Sequence, residues 1–83
     1  MQLHYYTDSG HGWVKTPKKL LIDLEIINNI SHYSYQKNDF VYLEEDCDLS
    51  LLLQKLDEKK IPWNLKEHFS HNSKIRNFAR FTV

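Results

Sequence analysis

The segment that decides the fold is Phe40–Leu56, FVYLEEDCDLSLLLQKL, because two hydrophobic periodicities meet in it. Residues 40–43 are apolar and aromatic, a composition typical of a strand. Four carboxylates then fall within residues 44–48, which we call the acidic junction. From residue 49 onward, leucines recur at the three- and four-residue spacing of a helix face. The segment therefore predicts a strand followed by a helix.

The residues before this segment predict a β-hairpin. Ser31–Tyr35 and Phe40–Glu44 are both strand-like, and the polar residues 36–39 have the length of a hairpin connection. We therefore expect these two stretches to pair as neighbouring antiparallel strands.

The outer parts of the chain continue the same order of elements. Leu3–Thr7 and Gly12–Lys15 predict two strands joined by a turn. Thr16 and Pro17 then predict a helix start, with Thr16 as the N-cap and Pro17 at the first helical position. Beyond the second helix, Trp63–Phe69 alternates apolar and polar residues and predicts a half-buried strand.

Together these elements predict one domain, residues 1–83, of the α+β class. The predicted order is ββαββαββ, with an antiparallel sheet and two helices packed on one of its faces. The sequence leaves open the arrangement of the tail, residues 70–83, because the spacing of its apolar residues fits strand alternation poorly.

Composition and charge narrow the classes of function. Lys plus Arg equals Asp plus Glu at 11 each, whereas nucleic-acid binding favours an excess of positive charge. The single cysteine, Cys47, allows no internal disulfide, which favours a reducing, cytoplasmic location. No apolar run reaches the roughly 18 residues of a membrane span, so we expect no membrane association.

The only two glycines of the chain flank His11 in the loop DSGHGW, residues 8–13. One interpretation is a tight loop that presents the His11 imidazole beside Asp8 and lets a ligand approach the backbone. The other is a turn that needs positive φ at both glycines and holds Trp13 in the core. The sequence favours this second, structural interpretation.

The acidic junction also allows two interpretations. Mg²⁺ and Ca²⁺ prefer oxygen ligands, and Asp8 and His11 would complete a site if the first hairpin lay beside the junction. In the other interpretation no ligand is needed, because carboxylates at a helix N-terminus are stabilised by capping and by the helix dipole. Asp46 or Asp48 would then be the N-cap. Because the glycine and alternating acids of a Ca²⁺ loop are missing, we expect neither a metal nor another cofactor.

Two further kinds of chemistry are disfavoured. The acids around Cys47 raise the pKa of a thiol and disfavour the reactive thiolate. Four aromatic residues of the predicted hairpin form a sheet face that resembles a base-stacking platform, but without interleaved arginines we interpret it as half-buried packing. They are Tyr33, Tyr35, Phe40 and Tyr42.

Four segments together resemble a family of short phage, plasmid and bacterial proteins of uncharacterised activity. They are Asp8–Val14 (DSGHGWV), Ser31–Tyr35 (SHYSY), Val41–Asp48 (VYLEEDCD) and Ile75-Arg76. Four separated motifs in one order are more specific than any one of them. The resemblance implies a mobile-element origin and carries over no catalytic residue.

The sequence favours a non-enzymatic module that binds another protein, as an accessory or inhibitor acting on a host or defence component. The alternatives are a small metal-dependent hydrolase or nucleotide-binding enzyme using Asp8, His11 and the acidic junction, and an RNA- or ribosome-associated protein. The oligomeric state stays open, with a dimer through an edge strand as one arrangement. Arg76 is expected to pair with the acidic junction. The predicted binding residues are Asp8, His11, Trp13, Glu44, Glu45, Asp46, Asp48 and Arg76.

Overall fold

The computed structural model describes residues 1–83 and contains six strands, two α-helices and two 3₁₀ helices. The strands are β1 (Gln2–Thr7), β2 (Gly12–Pro17), β3 (Tyr35–Lys37), β4 (Phe40–Glu44), β5 (Asn64–Phe69) and β6 (Ala79–Arg80). The α-helices are α1 (Lys18–Asp23) and α2 (Leu49–Glu58), and the 3₁₀ helices are Ile27–Asn29 and Lys74–Asn77. The α+β class is confirmed, and the 3₁₀ helices are elements that the predicted order ββαββαββ lacks.

All six strands form one sheet in the order β5-β1-β2-β4-β3-β6. The prediction of a purely antiparallel sheet is wrong, because β5 pairs in parallel with β1. β4 runs in the same direction as β1, since both are antiparallel to β2. The segment β4-α2-β5 is therefore a crossover connection, in which α2 carries the chain across the sheet to a parallel position.

Strand alternation divides the apolar side chains between two faces. Val14, Val41 and Leu43 point to one face, where they join leucines of both helices in a buried cluster. The helix residues of this cluster are Leu21, Leu49, Leu52 and Leu56. Both helices therefore cover the same face of the sheet, and neither helix has the length and apolar character needed to cross a membrane.

The opposite face carries a second, aromatic cluster. Trp13, Tyr35 and Tyr42 are buried there together with Ile75 from the second 3₁₀ helix. The tail thus covers this face, and β6 pairs with β3 at the edge of the sheet. Tyr33 lies outside the cluster and is 53% exposed, so it is not part of the predicted aromatic sheet face.

The predicted strand Ser31–Tyr35 is wrong for most of its length. Residues 31–34 form a turn, and β3 begins only at Tyr35. The hairpin to β4 then turns through Asn38 and Asp39 alone, with Asn38 at φ 56°, as tight hairpin turns require. The turn at 31–34 forms because the serines at its two ends bind a buried carboxylate, described below.

The predicted helix start at Thr16 and Pro17 is also displaced. Both residues belong to β2, Pro17 occupies the N-cap position of α1, and Thr16 is fully buried in the sheet. No side chain caps α1. Pairing of β2 with the full length of β4 extends the strand past the sequence signal for a helix.

Candidate functional site

The glycine-flanked loop and the acidic junction meet at one end of the central strand pair. Trp13 of β2 lies directly opposite Glu44 of β4 in the sheet register. The backbone N–H of Glu45 continues this pairing by donating to the Gly12 carbonyl at 3.0 Å. Residues 8–13 and 44–47 therefore form one surface, which we call the loop–junction surface.

Four side chains of this surface converge on a small volume. His11, Glu44, Glu45 and Asp46 each offer a nitrogen or oxygen atom, and these atoms lie within 4.8 Å of one another. The closest described approach to the imidazole is from Glu44, with 3.5 Å between His11 Nδ1 and Glu44 Oε1. We call this group the His–acid cluster. It brings together residues that the sequence analysis had assigned to two separate motifs.

Glu44 is the buried member of the His–acid cluster. The residue is 7% exposed, and its Oε2 accepts hydrogen bonds from the backbone N–H groups of Asp46 at 2.8 Å and Cys47 at 2.9 Å. Its Oε1 is buried and has no hydrogen-bond partner. A buried acceptor without a partner costs about 1–3 kcal/mol. Three other buried polar atoms share this state, Trp13 Nε1, Thr16 Oγ1 and Gln36 Oε1, and Glu44 Oε1 is the carboxylate oxygen among them.

Glu45 is positioned by Tyr5, a residue that the sequence analysis missed. The Tyr5 hydroxyl donates to Glu45 Oε2. Burial and the neighbouring Glu45 carboxylate raise the pKa of Tyr5 above its ordinary value, so the hydroxyl keeps its proton as a donor. A Cβ at position 12 would lie 2.6 Å from the Tyr5 oxygen, which explains the glycine there.

Neither Gly10 nor Gly12 has a positive φ. The predicted turn with positive φ at both glycines is therefore wrong. The loop is shaped instead by Asp8, whose Oδ1 accepts hydrogen bonds from the backbone N–H groups of Gly10 and His11, both at 2.9 Å. A short polar side chain that binds its own loop backbone holds a turn without a left-handed residue.

Arg76 pairs with Asp8 and not with the acidic junction, so the predicted pairing is wrong. The Arg76 Nε donates to Asp8 Oδ2 at 2.6 Å and its Nη2 donates to Oδ1 at 3.0 Å. The same guanidinium lies 5.2 Å from the centre of the Trp13 ring. This two-point contact ties the tail to the loop and leaves Asp8 occupied within the protein.

Replacing Asp8 with asparagine is expected to destabilise the fold at pH 7 and to matter progressively less in acid. The Arg76 guanidinium and two backbone N–H groups hold the pKa of Asp8 well below its usual range. Because the folded pKa is the lower one, this stabilisation is complete above the unfolded pKa of about 3.9 and is lost as the pH falls through the folded value.

Urea denaturation of both proteins at pH 7 and pH 3 measures this effect. The difference in unfolding free energy between wild type and Asp8→Asn should shrink at pH 3. The exposed Asp39 offers a matched Asp39→Asn control, with no comparable difference at either pH. An Asp8→Asn effect of the same size at both values would contradict the assignment.

Asp48 belongs to the interior and not to the loop–junction surface. It is 2% exposed and accepts hydrogen bonds from the Ser31 N–H at 3.1 Å and from the hydroxyls of Ser31 and Ser34. It occupies the N-cap position of α2, but its side chain makes no capping bond. Of the four acids in the junction, only Glu45 and Asp46 retain substantial exposure.

A cleft of about 340 Å³ opens beside the His–acid cluster. Its lining includes His11, Glu44 and Asp46 of the cluster. Arg76 and Arg80 of the tail line it as well, and the Arg80 guanidinium lies 4.5 Å from the centre of the Tyr35 ring. The sequence does not indicate Arg80 as a site residue, because the spacing of the apolar residues in the tail does not specify how the tail is arranged.

Cys47 also lines this cleft and is exposed. Partial desolvation and the Glu44 carboxylate raise the pKa of its thiol, in the direction that the sequence predicts. A thiol in this state is a weak nucleophile at neutral pH. Covalent catalysis by Cys47 is therefore disfavoured.

Comparison of the chain with protein-family models, with curated proteins and with solved structures finds no match.

Proposed function

We propose that this chain is a small, non-enzymatic binding module that engages a partner protein through the loop–junction surface. The observation that carries the proposal is the convergence of the 8–13 loop and the acidic junction at the end of β2 and β4. Two separated motifs build one surface, and three of its side chains, His11, Glu45 and Asp46, are not buried in the core.

The loop–junction surface is held in place before any partner binds. Asp8 fixes the loop backbone, and Arg76 anchors that loop to the tail. Glu44 fixes the backbone of the junction through two hydrogen bonds. A surface that is ordered beforehand loses little conformational entropy on association, which favours affinity.

The outward charge of this surface favours a basic partner. Glu45 and Asp46 carry the exposed negative charge, and neither forms an ion pair with a lysine or arginine of the chain. The nearby Arg76 guanidinium is neutralised by Asp8. Complementary charge steers association and disfavours acidic partners. The resemblance of four motifs to phage and plasmid proteins supports a bacterial host or defence component as the partner.

Replacing Asp46 with lysine is expected to weaken capture of the partner by at least about tenfold at low salt. Asp46 is exposed and its side chain makes no described hydrogen bond, so the variant should fold normally. The measurement is affinity capture from bacterial lysate with the immobilised chain, followed by mass spectrometry of the bound proteins. Glu44 is unsuitable for charge reversal because it is buried.

Glu58→Lys is the matched control for this experiment. Glu58 is an exposed acid at the end of α2, where its carboxylate pairs with Lys55 Nζ at 3.5 Å. The control should capture the same proteins as wild type. Equal capture by the Asp46→Lys variant would refute a role for the loop–junction surface.

A further inference from the structure

We infer that the His–acid cluster binds a divalent first-row transition-metal ion, Mn²⁺ or Zn²⁺, through His11, Glu44, Glu45 and Asp46. Four candidate donor atoms within 4.8 Å of one another can reach a single ion. This inference concerns the chain by itself and goes beyond the proposed association with a partner protein. The two proposals share Glu45 and Asp46, so a bound ion would lower the negative charge that the surface offers to a basic partner.

The independent observation behind this inference is the state of Glu44. Its side chain is nine-tenths buried, and its Oε1 has no hydrogen-bond partner while facing His11 Nδ1 at 3.5 Å. Proteins rarely leave a buried carboxylate oxygen unsatisfied, because the desolvation cost is not recovered. A cation beside this oxygen would recover that cost.

The charge of the cluster also favours a cation. Three carboxylates share this small volume, and none of them forms an ion pair with a lysine or arginine. Like charges at such separations repel one another more strongly near a protein surface than in bulk water. A divalent ion bound between the carboxylates removes this repulsion.

Each of three donors is already oriented by a second contact, as is usual around metal sites. Glu44 is held by two backbone N–H groups and Glu45 by the Tyr5 hydroxyl. His11 sits on a loop whose backbone is bound by Asp8. The donors are therefore positioned by the fold and not by an ion.

The donor set indicates which ion is preferred. Carboxylates suit Mg²⁺, Ca²⁺ and Mn²⁺, whereas an imidazole suits Zn²⁺ and other transition ions. A mixture of one imidazole and three carboxylates therefore favours Mn²⁺ and Zn²⁺ over Mg²⁺, which keeps its water ligands. The general order of affinities places Zn²⁺ above Mn²⁺. Three of the four donors line the cleft, so the ion would stay accessible from solution.

The test is a thermal unfolding series on the purified, chelator-treated chain with Zn²⁺, Mn²⁺ and Mg²⁺ chlorides, paired with titration calorimetry. An ion present at about 100 times its Kd should raise the Tm by about 10–20 °C in a domain of this size. Zn²⁺ and Mn²⁺ should produce this shift at lower concentration than Mg²⁺. Unchanged Tm values with all three ions would overturn the inference.

Exposed residues provide variants that test the donors without disturbing the core. His11→Ala and Asp46→Asn should each weaken binding by at least about tenfold. The matched controls His71→Ala and Asp39→Asn, at exposed residues outside the cluster, should bind as wild type does. Cys47→Ser should also retain wild-type affinity, and its failure to do so would overturn the donor assignment.

Paramagnetic Mn²⁺ adds a readout that locates the ion. The amide signals of Gly12, Glu45 and Cys47 should broaden first in a heteronuclear NMR titration, and those of α2 beyond its first turn should persist. Broadening centred elsewhere would contradict the site. Because no partner is present in these experiments, a failure here leaves the proposed protein association untouched, and the reverse also holds.

Discussion

Trp13→Ala is expected to destabilise the fold by about 3–5 kcal/mol, since removal of a large buried aromatic side chain leaves a cavity. Trp13 lies at one end of the central strand pair, is 2% exposed and contacts Tyr35 edge to face, with 6.1 Å between ring centres. It also supports the Arg76 guanidinium. The loss should therefore include both aromatic packing and the anchoring of the tail over this face.

Urea denaturation followed by circular dichroism measures this loss. The other tryptophan, Trp63, is the matched control, because it is only half-buried and its indole N–H donates to Asp57 at 2.9 Å. Trp63→Ala should cost clearly less than Trp13→Ala. Equal losses of unfolding free energy would show that Trp13 in the aromatic cluster stabilises the fold no more than the half-buried Trp63 does.

Asp48→Ala is expected to cost about 2–4 kcal/mol, because it leaves the hydrogen-bond donors of the half-buried Ser31 and the buried Ser34 without an acceptor. Ser34 is fully buried, and its oxygen also accepts the backbone N–H of Glu44 at 3.0 Å. The change should therefore loosen the turn at 31–34 and the end of β4 together. Urea denaturation at pH 7 measures the loss.

Asp46→Ala provides the comparison for Asp48→Ala. The two aspartates are two positions apart, but Asp46 is exposed, so its replacement should change the unfolding free energy by no more than about 0.5 kcal/mol. Similar effects at the two positions would mean that the buried network around Asp48 contributes little.

Elements with a strong periodicity could be predicted from the sequence. The leucine spacing of α2 specifies both a helix and its buried face, and the apolar and aromatic composition of β4 specifies a strand, because these signals depend on local geometry alone. The parallel position of β5 could not be predicted this way. Its alternation is compatible with either strand direction, and the direction is set by the crossover through α2.

The segments that form the candidate site could be predicted from the sequence, but the role of each residue within them could not. Composition alone indicated the glycine-flanked loop and the acidic junction as the unusual stretches. Asp46 and Asp48 are identical residues in the same run, and only the serines of a distant turn distinguish the exposed one from the buried one. The pairing of Arg76 with Asp8 likewise depends on how the tail crosses the sheet.

The parallel pairing of β1 with β5 has a consequence for how the chain acquires its structure. Gln2 pairs with Asn64 and Thr7 with Phe69, so one long ladder joins residues that are far apart in sequence. Ladders of this kind form slowly, because a large loop must close before any contact stabilises it. During synthesis, β1 cannot pair with β5 until α2 and β5 have left the ribosome. The sheet is therefore expected to be completed only after translation of that region.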